Sequence, residues 1–133
     1  IFDSSKNDGI DLMESEVVIK KVKIKKSKDK GISIGESSIA EIIDTKLIEN
    51  KIGVAVKDAS EVFIDSTEFF KNTEQIAAYK KNLQYGSGGN AVVTNSIFSH
   101  NINQFSSIDS IIDIKDSTID GEISSKGKKI FIN

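Results

Sequence analysis

The side chains best suited to chemistry fall in two groups. Glu14, Glu36 and Asp58 stand 22 residues apart, so a chain coiling with that period would stack three carboxylates along one edge. Stacked carboxylates repel one another or share a hard, oxygen-seeking cation, which makes Ca2+ the candidate cofactor. Lys57 and Tyr79, also 22 apart, share the neighbouring column. The second group is the segment from Tyr79 to Gly89, which holds both tyrosines of the chain, Tyr79 and Tyr85, with Lys80 and Lys81. Aromatic faces stack on sugar rings and ammonium groups pair with uronate carboxylates. Tyr79, Lys80, Lys81, Tyr85 and Lys57 therefore form a candidate shelf for an acidic polysaccharide. Plainer roles compete in both groups, because turn carboxylates are solvated and loop tyrosines anchor a loop to the wall beneath it.

Other constellations are weaker. Asp8 and Asp11 flank Gly9, where Asp before Gly is first of all turn chemistry. His100 is the single histidine and precedes Asn101, so it reads as a solvent-facing turn residue. No Asp-Asp pair, no Ser/His/Asp arrangement and no glycine-rich phosphate loop can be located, and no catalytic residue is assigned. The lysines between Lys20 and Lys30 alternate with Val22 and Ile24, predicting one lysine-rich strand face that solubilises the chain or meets an acidic glycan.

Composition narrows the partners. The formal net charge is −2, and all 18 basic residues are lysine. Without arginine, bidentate base or phosphate recognition is lost, so nucleic acid is not an expected partner. Cysteine is absent, and no apolar run approaches the roughly 18 residues that span a bilayer. Proline is absent too, which suits strands whose every N–H must find a partner. The chain starts at Ile1 rather than Met, the pattern expected of a mature product or an excised domain.

The elements that position these groups follow from a repeat. Gly9, Gly31 and Gly53 are 22 apart, each followed by an apolar–x–apolar triplet, and Ile76/Ala78 continues the series. Three further columns are Ala40–Val62–Ala91–Ile112, Ile42–Ile64–Val93–Ile114 and Leu47–Phe69–Phe98–Ile119. All three show successive gaps of 22, 29 and 21, so one insertion, between Lys81 and Gly89, explains them together. Such a period with β-branched columns predicts a solenoid. Short alternating stretches between Gly, Asn and Asp read as strands, with Asp11, Ser33, Ala55 and Ala77 pointing outward. Coils about 4.8 Å apart would make a rod roughly 25–30 Å long from about six coils. Thr45, Thr67, Ser96 and Ser117 predict a hydroxyl ladder, and Asn50, Asn72 and Asn101 an amide ladder. The expected fold is all-β: one domain, residues 1–133, of about six coils of roughly 22 residues. Leucine is too scarce for leucine-rich repeats, and an 18-residue left-handed coil does not fit.

Over residues 7–121, phrases such as Asn7-Asp8-Gly9-Ile10-Asp11-Leu12 and Asn50-Lys51-Ile52-Gly53-Val54-Ala55-Val56 resemble the right-handed parallel β-helix of pectate-lyase-like proteins, and β-helix segments of bacterial secreted or surface proteins. The resemblance implies a secreted or cell-surface location. It also implies an enzymatic alternative, a Ca2+-assisted lyase or epimerase on uronate glycans, in which Lys57 or Lys80 would stand in for the arginine such enzymes use. The favoured expectation is a non-catalytic scaffold or carbohydrate-contacting module of a larger protein; a phage or surface fibre segment is a third reading. Ile130 and Ile132 look like a further strand, so the ends are expected to meet more coils, another domain or another copy of the chain, as in a homo-oligomer.

Overall fold

A computed structural model describes residues 1–133, and in it the chain winds as short parallel strands on three faces. Face one carries β2 (Ile10–Met13), β5 (Lys30–Gly35), β8 (Ile52–Lys57) and β11 (Glu74–Tyr79). Face two carries β3 (Glu16–Lys20), β6 (Ile39–Ile43), β9 (Glu61–Asp65), β12 (Asn90–Thr94), β14 (Ile111–Lys115) and β16 (Ile130–Ile132). Face three carries β1 (Phe2–Asp3), β4 (Lys23–Lys25), β7 (Lys46–Ile48) and β10 (Glu68–Phe70). Two longer strands, β13 (Ile97–Ser107) and β15 (Thr118–Gly127), continue from face three into face one. Those two faces thus form a single 10-stranded sheet beside the 6-stranded sheet of face two.

The pairing follows the apolar columns. Ala40 pairs with Val62, Val62 with Ala91 and Ala91 with Ile112; Leu47, Phe69, Phe98 and Ile119 align in the same way. The insertion therefore leaves the register of both sheets intact. Inward residues stack into one core in which Phe69 and Phe98 lie with ring centroids 4.5 Å apart, and Phe105 meets Phe98 edge-on at 5.1 Å. Removing a ring from this stack costs about 3–5 kcal/mol.

A single device turns the chain at its corners. A residue in the left-handed region is followed at once by a polar residue whose side chain accepts the backbone N–H of its counterpart one coil earlier. Between faces two and three the bends are Asp44, Ser66, Asn95 and Asp116, with φ from 48° to 50°. The ladder residues after them are Thr45, Thr67, Ser96 and Ser117. The Thr67 N–H donates to Ser96 Oγ and the Ser96 N–H to Ser117 Oγ, both at 3.1 Å. Between faces one and two, Glu14, Ser37, Ala59 and Asp109 bend ahead of Ser15, Ser38, Ser60 and Ser110. There the Ser15 N–H donates to Ser38 Oγ at 3.1 Å and the Ser38 N–H to Ser60 Oγ at 3.0 Å. A left-handed L-residue costs about 1–2 kcal/mol, which a net hydrogen bond of about 1 kcal/mol partly offsets.

The third corner, from face three to face one, holds the amide ladder and its one departure. Lys26, Glu49 and Lys71 bend there. The Ser27 N–H donates to Asn50 Oδ1, and the Asn50 N–H to Asn72 Oδ1, both at 2.9 Å. Asn101 does not continue this ladder: it is exposed, and Asn103 is buried in its place. The cause is one coil away. The glycine column leaves room for the next coil, since a Cβ on Gly53 would lie 3.1 Å from Phe69 and 3.2 Å from Asn72 Nδ2. Gln75 breaks that column, and its fully buried amide fills the space Asn101 would need. Asn72 Nδ2 donates to Gln75 Oε1 at 2.9 Å, and Gln75 Nε2 to Asn103 Oδ1 at 2.7 Å. β13 consequently runs through the corner as continuous strand.

Two other expectations change. Ser33, Ala55 and Ala77 point away from the core yet are 0–3 % exposed, because small residues at mid-strand are flanked by Lys30, Lys57 and Tyr79, themselves half-buried. The lysines from Lys20 to Lys30 do not share one strand face. Lys21 and Lys26 are corner bends, Lys23 and Lys25 sit on β4, and Lys30 opens β5.

Candidate functional site

The insertion joins β11 to β12, leaving face one at the corner towards face two. Its start is held by Asp58, a buried bend residue whose Oδ1 accepts the N–H groups of Lys81 at 2.8 Å and Asn82 at 2.9 Å. Asn82 Oδ1 then accepts the Gln84 N–H at 3.0 Å, closing a local turn. On return the Ala59 N–H donates to the carbonyls of Ser87 at 3.1 Å and Gly88 at 2.9 Å. Gly89 is packed so closely that a Cβ would sit 2.2 Å from the Val56 carbonyl oxygen, so no side chain fits there.

Between this loop and the outer side of face one lies a groove of about 650 Å³. Lys57, Asp58, Glu36 and Lys81 line it, with Asp11, Met13 and Leu83 among the others. Four of the eight residues singled out by spacing and type thus converge. Tyr79 and Lys80 are half-buried at the end of β11 and outside the lining, while Glu14 is an exposed corner residue. Tyr85 is half-buried within the insertion, and burial first, then the charges of Glu36, Glu14 and Asp58, raise its hydroxyl above the ordinary tyrosine range.

The acidic column lies at the corner between faces one and two. Glu14, Glu36 and Asp58 all have left-handed backbones, with φ of 46°, 54° and 53°. No three His, Asp or Glu side chains converge as a metal-binding group.

The cationic side of the groove is better developed. The Lys57 stem lies along Gly35, where a Cβ would come 2.7 Å from its Cε, so that glycine makes its bed. Neither Lys57 nor Lys81 joins any of the five ion pairs in the molecule, whereas Lys30 pairs with Asp29 at 3.0 Å and Asp8 at 3.8 Å. Burial chiefly, then the like charges of Lys81 and Lys30, pulls Lys57 below the ordinary lysine range against the weaker attraction of Asp11 and Asp8. Lys30 moves the other way. Burial, its largest single influence, is outweighed by the hydrogen bond to Asp29 and the charges of Tyr79 and Asp8. The arrangement offers one desolvated and one exposed ammonium group to an anion.

The parallel coils, their register and the corner ladders match a known pattern. A family model described as a right handed beta helix region covers residues 1–132. The chain is a right-handed β-helix protein. No curated protein and no solved structure matches it. Within this β-helix the sequence reading overlooked one feature and misplaced another. One is the serine ladder Ser15–Ser38–Ser60, whose signal was present as serines 23 and 22 residues apart, and which resumes at Ser110 after Gly89 takes the rung between. The other is His100, which is not a turn residue: it is half-buried within β13, and its Nδ1 accepts the Asn101 N–H at 2.8 Å.

Proposed function

We propose that this β-helix is a non-catalytic scaffold domain of a secreted or cell-surface protein, and that its loop-roofed groove holds a short stretch of acidic polysaccharide. One observation carries the reading: Lys57 and Lys81 face the groove without carboxylate partners, and Lys57 is partly stripped of water. A uronate carboxylate entering the groove would restore to Lys57 the stabilisation that burial removes. Asp58 shapes the loop. Calorimetry with hexagalacturonate tests the reading. Binding that weakens several-fold in Lys57→Ala and Lys81→Ala, and falls as salt rises, is the expected result; heat unchanged by both substitutions would refute it.

A second reading, a lyase or epimerase on the same glycans, is favoured by Lys57 alone. An amine with a lowered pKa can take up the proton released from a carbon next to a uronate carboxylate. Continuous ultraviolet assay of hexagalacturonate with added Ca2+ separates the two, because only a lyase forms the absorbing unsaturated product, and sugar analysis detects epimer.

A further inference from the structure

The corner opened by Gln75 leaves a second groove of about 540 Å³, on the opposite edge of face one from the insertion. One wall is Phe70 and Lys71, the other Asp120 and Glu122, and the floor runs from Ser99 to Ile102. Phe70, Ser99 and Asp120 stand in register on successive strands. The walls are therefore two strand spacings apart, roughly 10 Å, over a small serine. That gap accepts one sugar ring edge-on between an aromatic face and a carboxylate.

The floor is fixed by a β-bulge. His100 and Asn101 together oppose Gly121, so the pairing shifts between Ser99 and Ile102. Asn103 braces the bulge from inside, its Nδ2 donating to the Asp120 carbonyl at 2.9 Å and to those of His100 and Glu122 at 3.3 Å. Gly121 completes the fit, since a Cβ there would collide with the His100 carbonyl. Because His100 Nδ1 accepts a hydrogen bond, the proton of the neutral ring lies on Nε2, leaving a donor of set orientation.

Both grooves hold unpaired carboxylates, Asp11 and Glu36 in the first and Asp120 and Glu122 here, and the second adds an aromatic face, Phe70. The carboxylates of Asp120 and Glu122 form no ion pair and accept no hydrogen bond from within the chain. Phe70 is 41 % exposed and Ile102 51 %, and the Lys71 ammonium lies over one face of the Phe70 ring, 5.2 Å from its centre, so a sugar ring takes the opposite face or displaces that ammonium. Paired acceptors beside an apolar face suit vicinal hydroxyls over a C–H surface, and they repel an anionic sugar. We propose that this groove binds a neutral saccharide, with a ring stacked on Phe70, hydroxyls donating to Asp120 and Glu122, and His100 Nε2–H donating to a ring or hydroxyl oxygen.

The test is an amide-resolved NMR titration of the whole chain with neutral hexasaccharides (β-1,4-glucan, α-1,4-glucan, β-mannan, xylan) and, in a separate arm, hexagalacturonate. At least one neutral sugar should shift the amides of Phe70, Ser99–Ile102 and Asp120–Glu122. Phe70→Ala should weaken that binding about tenfold, and the Asp120→Asn, Glu122→Gln pair several-fold, while Lys57→Ala leaves it unchanged. Phe70 points outward, so a thermal melt of each variant confirms its fold. Silence of these amides to every neutral sugar, equal binding by Phe70→Ala, or a response to hexagalacturonate alone would each overturn the proposal.

Discussion

The two corners that border face one depart from the repeat in opposite ways. At the corner towards face two the chain adds residues, and the loop from Lys81 to Gly89 folds back over a groove presenting free ammonium groups. At the corner from face three nothing is added. A glycine position holds Gln75 instead, the bend is lost, and a groove of aromatic and acidic lining opens. A stacked fold can thus gain a recess by lengthening a coil or by misfilling the one beneath it. The first lengthens the interval to the coil before it, while the second shows only as a one-residue shift against the coil after it.

The largest expected effect lies in the brace of the open corner. Asn103→Leu strands the buried Gln75 Nε2 and the carbonyls of Asp120 and Glu122, and should destabilise the chain by about 2–4 kcal/mol in urea denaturation. A loss within about 0.5 kcal/mol of wild type would show that Asn103 is not the brace. At the other corner Asp58→Ala removes two hydrogen bonds that hold only the loop. It should cost about 1–2 kcal/mol and raise amide exchange from Lys81 to Gly89 without touching His100–Ile102. Exchange rising equally at both corners would dissolve the contrast between them.

Gln75→Gly sharpens the comparison further. It restores the column of Gly9, Gly31 and Gly53, so a crystal structure should show Asn101 inside, bonded to Asn72, with the groove over His100 closed; Asn101 remaining outside would contradict the space-filling argument. The smallest effect concerns Lys57. Its folded pKa is lowered from 10.5, so the folded chain binds fewer protons through the window between that lowered value and the unfolded one. Charging Lys57 opposes folding below the window and ceases to do so above it. Lys57→Met should therefore stabilise by no more than about 0.5 kcal/mol near neutral pH, an advantage that shrinks as pH rises towards 10.5. An advantage growing with pH would reverse the assigned cause.

How much of this was readable beforehand follows from what spacing encodes. The apolar columns, the Thr45–Ser117 ladder and the insertion appear as intervals, and the strands pair as those intervals require. The convergence of Lys57 and Lys81 with Asp58 was half visible, because the column predicts neighbours across coils but not the two amides that claim the Asp58 carboxylate. The open corner escaped because the interval from Asn72 to Asn101 matches the strands on either side of it. Its signal was a residue type: glutamine in a glycine column, which decides who occupies the space one coil on. The burial of Lys57 likewise depends on Gly35, one coil earlier and 22 residues away.

The central claim is that the two recesses differ in the ligand they take, and one titration addresses it directly. With hexagalacturonate added to the isotope-labelled chain, the amides of Lys57 and Lys81–Gly89 should shift together, and those of Ser99–Ile102 should stay still. Shifts at Ser99–Ile102, or none at the loop, would contradict the account.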